Sequence, residues 1–287
     1  MQLSVIVPCF NAAETIAVQL EALAAQQWSK PWEVIIADNG STDGSLAIAE
    51  QYRERLPHLR IIDASKRQGA AHARNVGAMA ATGEAIAFCD ADDEVAPGWV
   101  AAMGEALSQY DFVACRREYE KLNEPWLLQH RSLSQQTGVQ TYDYPPYLPH
   151  ASSSTLGVKR SLYTSINGFD ESMLQLEDTD FCWRLQLTGI TLHFVPEAVV
   201  HYRFRHTLDG IYRQAYGYGE FNTLLYKKYR SLGMPLLPWH SSFKPWLRLL
   251  KSFPQISSLE GRAKWVWALG WRMGRLQGSI KHQVWAL

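Results

Sequence analysis

The chain has 287 residues, 47% of them hydrophobic, and its 28 Lys and Arg balance its 28 Asp and Glu. This length supports a sizeable buried core and predicts one large domain, alone or with an appendage. The neutral balance disfavours a basic nucleic-acid-binding protein and an acidic disordered chain, so no nucleic-acid partner is expected.

The four cysteines show no paired spacing, so neither a zinc site nor a disulfide framework is predicted, which is typical of a reducing compartment. The N-terminal segment lacks the basic and long apolar regions of a signal peptide. No window holds 18 apolar residues free of charge, as a membrane-spanning helix would. A cytoplasmic location is therefore expected.

The first 90 residues alternate between strand and helix patterns. Apolar runs rich in β-branched residues predict buried parallel strands at 3–8, at 33–38, from Leu59 and just before Asp90. Helical spacing predicts intervening helices over 12–27, 45–55 and about 70–81. This alternation predicts a doubly wound, Rossmann-like α/β sheet with helices on both faces. Ligands bind such sheets at the carboxyl ends of the strands, where Pro8, Asp38 and Asp90 lie.

Beyond Asp93 the pattern is mixed. A helix is predicted over 99–109, a strand over 111–119 and a loop-rich aromatic stretch over 123–150. There follow a strand over 154–160, a helix opening near Glu177 and a strand up to His206. Helices are predicted to dominate from there to the C-terminus.

Three carboxylates, Asp90, Asp92 and Asp93, close the fourth apolar strand. Ionised carboxylates are costly to crowd at the end of a buried strand without a cation. Mn²⁺ or Mg²⁺, which prefer oxygen ligands, would neutralise them and suit carboxylate together with phosphate. A solvated acidic turn before a helix near Pro97 explains the same residues without a metal.

Two further residues have both a functional and a structural interpretation. Asp38 precedes the turn sequence NGSTDGS, where it either binds a nucleoside or caps its own turn. Arg74 either pairs with a diphosphate or is an ordinary surface arginine. The first strand leads into Pro8-Cys9-Phe10-Asn11, not into the glycine-rich loop of a dinucleotide-binding fold or a nucleotidyltransferase.

Six segments, in this order, resemble the inverting glycosyltransferases of family 2, which have the GT-A fold. They are VIVPCFNA (5–12), DNGSTDGS (38–45), GAAHARNVG (69–77), FCDADD (88–93), NGFDE (167–171) and EDTDFCWR (177–184). The resemblance implies a mixed, mainly parallel sheet in a GT-A domain over 1–205. Its nucleotide-sugar half would cover about 1–95 and its acceptor half about 96–205, followed by a helical extension over 206–287.

The resemblance assigns the donor side residue by residue. Pro8, Asn11 and Asp38 match positions that hold the nucleotide base and ribose. Arg74 matches a position near the base and diphosphate, and Asp90 one that contacts the ribose or a metal-bound water. The expected donor is a nucleotide-diphospho-sugar, with UDP-sugars favoured.

The metal, Mn²⁺ or Mg²⁺, is expected on the family's D-x-D motif, whose outer positions are Asp90 and Asp92. Asp92 matches the position that binds the metal directly. His201 matches a position where some GT-A enzymes place an additional metal ligand. A histidine at a strand end is also a common structural residue.

Asp178, in the pair Glu177-Asp178, matches the catalytic base of the family. An acceptor hydroxyl attacks the anomeric carbon from the face opposite the nucleotide, and a carboxylate within about 3 Å takes its proton. Transfer should therefore invert the anomeric centre. The acidic neighbours Glu177, Asp170 and Asp180 compete for this assignment. On the acceptor side we expect Glu177, Trp126 and Ser153.

These residues imply an inverting, metal-dependent glycosyltransferase acting on a hydroxyl of a glycan or lipid-linked acceptor, in bacterial surface polysaccharide or glycolipid assembly. The alternative is a non-catalytic nucleotide-sugar-binding or partner-binding subunit of a glycan-assembly complex. The intact Asp90, Asp92 and Asp178 disfavour that alternative.

The C-terminal region has a different character. Residues 234–287 carry eight Lys and Arg against Glu260 alone, and six of the 11 Trp. In the segment 244–253, Trp246, Leu249, Leu250 and Phe253 share one helical face, and the basic residues lie toward the other. Glycines at 270, 274 and 278 allow close helix approach in a second amphipathic segment. Three interpretations remain open for 244–287: an anionic membrane surface on the inner face of the cell membrane, a dimer contact, or packing on the catalytic domain.

Overall fold

The computed structural model describes residues 2–56, 58–129, 133–142, 147–237 and 243–286. Its strands are β1 (Leu3–Cys9), β2 (Trp32–Asp38), β3 (Arg60–Asp63), β4 (Ala85–Phe88), β5 (Glu94–Val95), β6 (Phe112–Glu118), β7 (Leu156–Lys159) and β8 (His193–His201). Its α-helices are α1 (Ile16–Ala24), α2 (Ser45–Glu50), α3 (Ala70–Ala80), α4 (Trp99–Gln109), α5 (Pro125–Leu128), α6 (Arg160–Ser165), α7 (Glu177–Leu187), α8 (Leu208–Tyr229), α9 (Phe243–Lys251) and α10 (Leu259–Lys281).

The strands form one mixed sheet in the order β3-β2-β1-β4-β7-β6-β8-β5. The first four strands pair in parallel, and β6 is also parallel to β8, whereas β7 is antiparallel to both of its neighbours. In the parallel part Cys9 lies beside Asp38 and Asp38 beside Asp63, so the carboxyl ends of these strands share one edge. The predicted doubly wound, mainly parallel sheet is confirmed.

Both faces of the sheet are buried, which explains why the strand sequences are continuously apolar rather than alternating. Val5 and Val7 of β1 pack in one hydrophobic core with α1 and α4. Ile6, between them, faces a second core that contains Phe181 and Trp183 of α7. The four cysteines are buried and free, and they pack as small apolar residues. The two-residue strand β5 was not predicted, because so short a segment carries no periodicity.

Asp180 joins the helical C-terminal region to the sheet domain. This fully buried carboxylate of α7 lies 2.6 Å from Lys228 Nζ and accepts a hydrogen bond of 2.7 Å from Tyr229 Oη, both at the end of α8. Arg184 also pairs with it, at 2.7 Å. The second core includes Leu225 and other residues of α8. Helix α8 is thus packed on α7 and the sheet.

The glycines of α10 allow it to lie directly on α8. A Cβ added at Gly274 would lie 1.9 Å from the carbonyl oxygen of Tyr216, and one at Gly270 would lie 2.7 Å from that of Tyr212. The predicted close helix approach is confirmed, and its partner is α8 of the same chain. No helix in the described part of the chain is long and apolar enough to cross a membrane.

We predict that Gly274→Ala destabilises the protein by about 1–3 kcal/mol, because the added methyl group meets backbone that cannot move aside without separating the helices. Urea denaturation measures the difference. Gly138→Ala is the control, since a Cβ there meets nothing within 4 Å. An unchanged midpoint in Gly274→Ala would contradict the helix packing described here.

Candidate active site

The loop after β4 gathers three carboxylates at the carboxyl edge of the sheet. One oxygen each of Asp90, Asp92 and Asp93 lies within 4.8 Å of the others. Asp93 is buried, and its Oδ1 accepts a hydrogen bond of 2.9 Å from the amide of Arg203, whereas its Oδ2 has no partner among the described residues. Burial raises the pKa of Asp93 well above its ordinary value, and the charges of Asp92 and Asp90 raise it further. Burial and Asp90 likewise raise the pKa of Asp92.

This donor set fits a divalent cation. Its ligand atoms are hard carboxylate oxygens, they converge, and their mutual repulsion is only partly relieved by protein cations. Arg205 Nη1 lies 3.4 Å from Asp92 Oδ2, a partly exposed pair. The interpretation of the acidic turn as simply solvated does not account for the buried, unpartnered Asp93 oxygen.

Arg74 links this loop to α7. Its side chain, on α3, is only 3% exposed. Nη2 donates to Asp90 Oδ1 at 2.6 Å, and Nη1 donates to Glu177 Oε1 at 2.9 Å. Burial alone would disfavour the charged guanidinium, but Asp90 and Glu177 outweigh it and raise the pKa of Arg74. Arg74 is therefore not an ordinary surface arginine.

The N-terminus of α7 presents Glu177 and Asp178. Helix α7 follows Leu176, whose φ of 59° and ψ of 21° place a non-glycine residue in the left-handed region. Such a conformation is costly and persists where the surrounding structure imposes it. The Asp178 carboxylate accepts hydrogen bonds from the amides of Ser153 at 3.1 Å and Thr179 at 2.7 Å. The turn thus fixes the direction of this carboxylate.

Burial dominates the protonation of the two carboxylates. It raises the pKa of Glu177 to about 7, with a further contribution from the charge of Asp178 and an opposing one from Arg74. Burial also raises the pKa of Asp178, and the amides of Thr179 and Ser153 oppose it. Glu177 is engaged with Arg74, whereas Asp178 has no cationic side chain within ion-pair distance among the described residues. Of the two carboxylates, Asp178 is therefore the one without a cationic partner in the described chain.

Three adjoining cavities meet at these residues. A large cavity of about 950 Å³ extends from Pro8 and Asn11 to Asp90, Asp92 and Arg205. A connecting cavity of about 400 Å³ shares Arg74, Asp90 and Asp92 with the large cavity and continues to Asp178. Asp178 also lines a third space of about 270 Å³, the aromatic chamber. Its lining includes Tyr119, Tyr142, Tyr202, Phe204, Tyr218, Trp267 and Trp271.

Most residues predicted on the donor side line the large cavity. They are Pro8, Asn11, Arg74, Asp90 and Asp92. Asp38 is not brought to its wall. Its carboxylate accepts hydrogen bonds from the amides of Gly40 and Ser41 at 3.2 Å, as the turn-capping interpretation expects. Asn39, the next residue, lines the cavity instead.

His201 is not brought to the acidic cluster. Its Nδ1 lies 2.5 Å from Glu118 Oε2, and it pairs across the sheet with Glu94 of β5. This is the environment of a structural histidine. The carboxylate cluster found within the described residues contains aspartates alone.

The three residues predicted on the acceptor side do not all lie at the cavities. Ser153 and Glu177 both line the connecting cavity, where Ser153 donates its amide to Asp178 and Glu177 binds Arg74. Trp126 does not line the cavities described above. It packs in the hydrophobic cluster that also contains Tyr119 and Phe204 of the chamber wall, and its indole N–H donates to Glu124 at 2.7 Å. Tyr144, in the loop-rich aromatic stretch over 123–150, lies outside the described residues.

Sequence reasoning missed two groups of lining residues. Arg203, Arg205 and His206 line the large cavity, and the basic sequence HYRFRH after β8 was the available signal. Trp267 and Trp271 of α10 line the aromatic chamber. Their spacing of four residues places them on one helical face, but nothing local says what that face meets.

Comparison with protein families decides the identity. Residues 4–166 match the model of glycosyl transferase family 2, and residues 86–274 match that of glycosyl transferase family group 2. The chain belongs to glycosyltransferase family 2. The predicted family and its class of enzyme are thereby confirmed.

Among curated proteins, the putative glycosyltransferase EpsE of Bacillus subtilis is 26% identical over 260 residues, which are 86% of this chain and 88% of EpsE. The uncharacterized glycosyltransferase YibD of Escherichia coli is 38% identical over 144 residues. That match covers 49% of this chain and 41% of YibD, so the chain spans less than half of that relative.

Solved structures share the fold. Staphylococcus aureus TarS 1–349 in complex with UDP-GlcNAc has a TM-score of 0.59 at 18% identity, over 100% of this chain and 93% of that chain. Mannosyltransferase PcManGT from Pyrobaculum calidifontis, in complex with GDP-Man and Mn²⁺, has a TM-score of 0.61 at 19% identity. The match covers 97% of this chain and 75% of that chain. At these identities the likeness concerns the fold alone, and it confirms the predicted GT-A architecture of this family 2 glycosyltransferase.

We predict that Arg74→Met lowers the free energy of unfolding by about 3–5 kcal/mol in metal-free buffer, because it leaves the buried Glu177 and the partly buried Asp90 without their counter-charge. Adding Glu177→Gln should recover part of the loss. Urea denaturation measures both. Arg67→Met, which removes a half-exposed partner of Glu171, is the control and should change stability by less than about 1 kcal/mol. Equal effects of the two arginine substitutions would contradict the bridging role.

Proposed function

We propose that this protein is an inverting, metal-dependent glycosyltransferase that moves a sugar from a nucleotide-diphospho-sugar to a hydroxyl of a glycan or lipid-linked acceptor. The observation that carries the proposal is the position of Asp178. It lies where the connecting cavity, which reaches the acidic cluster, meets the aromatic chamber. A base in that position has donor on one side and acceptor on the other.

The large cavity suits the donor. Its volume of about 950 Å³ lies within the range of about 300–1,000 Å³ typical of ligand sites. The nucleoside would lie against Pro8 and Asn11, and the diphosphate between the acidic cluster and Arg203 and Arg205. Guanidinium groups pair readily with phosphate oxygens. UDP-GlcNAc in TarS and GDP-Man in PcManGT support a nucleotide-diphospho-sugar, and a UDP-sugar is our preferred donor.

The metal, Mn²⁺ or Mg²⁺, would be held by Asp92, with Asp90 and Asp93 beside it. When bound, it supplies positive charge that stabilises the leaving diphosphate. Mn²⁺ in PcManGT supports this cofactor. Asp90 also binds Arg74, so the guanidinium holds one carboxylate of the cluster in place.

In the proposed reaction the acceptor oxygen forms a bond to the anomeric carbon as the bond from that carbon to the diphosphate oxygen breaks. The hydroxyl proton passes to Asp178, and the nucleoside diphosphate leaves on the opposite side. A single displacement of this kind inverts the anomeric centre. The amides of Ser153 and Thr179 orient the Asp178 carboxylate, and Arg74 occupies the competing Glu177.

We predict that Asp178→Asn lowers kcat by about 10²–10⁴-fold, because the amide cannot accept the proton. Its affinity for the nucleotide-sugar should stay near that of the wild type, measured by calorimetry beside a product assay. Asp170→Asn removes a carboxylate that binds Ser172 and Lys228, and it should keep most of the activity. Near wild-type turnover by Asp178→Asn would show that another group is the base.

We predict that Asp92→Ala weakens Mn²⁺ binding in the presence of UDP by at least about tenfold, since it removes a direct oxygen ligand. Electron paramagnetic resonance of free Mn²⁺ gives the affinity. Asp209→Ala is the control, because Asp209 is an exposed carboxylate that pairs with Arg213. Unchanged Mn²⁺ affinity in Asp92→Ala would count against the proposed metal site.

The proposed setting is bacterial surface polysaccharide or glycolipid assembly. The curated relative TarS is named as a poly(ribitol-phosphate) β-N-acetylglucosaminyltransferase and is 38% identical over 97 residues, 33% of this chain. Poly(ribitol-phosphate) is a phosphate-containing polymer. An acceptor carried on the cytoplasmic side of a membrane would agree with the surface of α9.

Helix α9 presents an unusual outer face. Leu249 is buried and Trp246 half-buried, so the predicted face of Trp246, Leu249, Leu250 and Phe253 is not one exposed stripe. Leu247 and Leu250 are instead 57% and 71% exposed. The exposed basic residues Lys244, Arg248 and Lys251 accompany them. Apolar and basic side chains on one outer face suit the headgroup layer of an anionic membrane, which we propose as the partner of α9.

We predict that the protein sediments with vesicles containing anionic phosphatidylglycerol, and that binding weakens with salt because each basic residue contributes about 1 kcal/mol near such a surface. Leu247→Ser combined with Leu250→Ser should abolish most of the binding. Met79→Ser, which changes an exposed apolar residue on α3, is the control. Sedimentation that is absent, or indifferent to salt and to the leucines, would contradict the membrane contact.

A further inference from the structure

Part of the wall of the aromatic chamber comes from helices outside the six family-like segments. Trp267 and Trp271 come from α10 and Tyr218 from α8. The ring of Trp267 lies edge-to-face with that of Tyr218, with centroids 6.0 Å apart. The glycine contacts hold α10 so close to α8 that a Cβ at Gly219 would lie 2.2 Å from the Trp271 carbonyl oxygen. The two tryptophans are therefore fixed as walls of the chamber.

The chamber lining also contains buried polar side chains. Arg117 stacks over Tyr202 at 3.7 Å and donates from Nη2 to Ser152 Oγ at 3.0 Å. Its guanidinium has no carboxylate within ion-pair distance among the described residues. His150 is stacked on Tyr142, and its Nδ1 has no hydrogen-bond partner in the described chain. Burial, with the charge of Arg117, lowers the pKa of His150 to about 4, so the ring is neutral.

A lining of aromatic rings together with a few hydrogen-bonding groups matches the chemistry of a sugar ring. A pyranose has a face of C–H groups that packs on an aromatic ring, and hydroxyls at its edge that need polar partners. A bare lipid phosphate would leave the aromatic walls uncovered. An apolar chain would leave the Arg117 guanidinium without a counter-charge and the His150 Nδ1 without a hydrogen-bond partner, which is costly for buried polar groups.

The volume limits how much of an acceptor enters. At about 270 Å³ the chamber is slightly below the lower end, about 300 Å³, of typical ligand sites. This space suits one ring rather than several. Since Asp178 lines the chamber, a hydroxyl of a ring held there would face the carboxylate.

We infer that the aromatic chamber binds the terminal pyranose ring of a saccharide acceptor, with Trp267 and Trp271 of α10 as its stacking walls. This inference rests on the proposed function, because it names the acceptor of that reaction. It makes the C-terminal helices part of the substrate site. It also assigns specificity for the acceptor ring to residues that the family-like segments do not contain.

The test uses the full-length protein and the methyl glycosides of glucose, galactose, mannose and N-acetylglucosamine as probes. Saturation-transfer NMR with irradiation of aromatic protein protons should label the C–H groups of one ring face of at least one glycoside. Trp267→Leu and Trp271→Leu keep apolar bulk on α10, and each should weaken the binding of that glycoside by at least about fivefold. Trp285→Leu changes an exposed tryptophan near the C-terminus and should leave binding unchanged.

Donor binding is measured separately on every variant by the thermal shift with UDP and Mn²⁺, which also reports folding. Glycoside binding that depends on Trp267 and Trp271 supports the inferred acceptor site. If such binding is seen but no nucleotide binds, the proposed function is contradicted and the inferred saccharide site is not. The inference is overturned if the protein binds UDP but none of the glycosides shows a saturation-transfer signal. It is equally overturned if labelling is the same in the folded Trp→Leu variants as in the wild type.

Discussion

A single buried cation holds the two halves of the active site together. Arg74 donates to Asp90 in the loop after β4 and to Glu177 at the start of α7. A charge buried this deeply is tolerated only when it is paired and hydrogen-bonded. The arrangement therefore couples α3 and the loop after β4 to α7, which begins about 100 residues later in the chain. Without the guanidinium, the carboxylates near the proposed metal site and the carboxylates at the N-terminus of α7 would repel one another.

Helix α7 is held from its other side as well. Asp180, two residues after Asp178, is fully buried and binds Arg184, Lys228 and Tyr229. Through Lys228 and Tyr229 the position of α7 depends on α8. Helix α10 packs directly on α8 at the glycine contacts. The C-terminal helices therefore brace the helix that presents Asp178. Their sequence is basic and rich in tryptophan, but their packing makes them a structural part of the site.

Much of the sheet and of the candidate site was predictable from the sequence, at positions where local pattern and chemistry agree. Continuous apolar strands predicted the parallel sheet, and parallel register then places the ends of β1 and β2 at one edge. Asp38 was different, because nucleoside binding and turn capping require the same residue in the same place. Only the hydrogen bonds from Gly40 and Ser41 distinguish them.

Other features depend on contacts that no local pattern encodes. His201 finds its partner, Glu118, 83 residues away along a neighbouring strand. Trp126 and Trp267 are equally plausible aromatics in sequence, and only the packing of α10 on α8 brings the second to the chamber. For α9, periodicity predicted a helix with an apolar face, but which leucines are covered depends on where the helix rests.

The most direct test of the central claim is a thermal-shift panel of nucleotide-diphospho-sugars, each with and without Mn²⁺. Ligand binding to the native state raises stability by RT ln(1 + [L]/Kd), about 2.7 kcal/mol at 100 times Kd. We predict a rise in melting temperature with one class of donor that requires the metal and exceeds the effect of either component alone. If no donor stabilises the folded protein, with or without Mn²⁺, the large cavity is not a nucleotide-sugar site and the proposed function is contradicted.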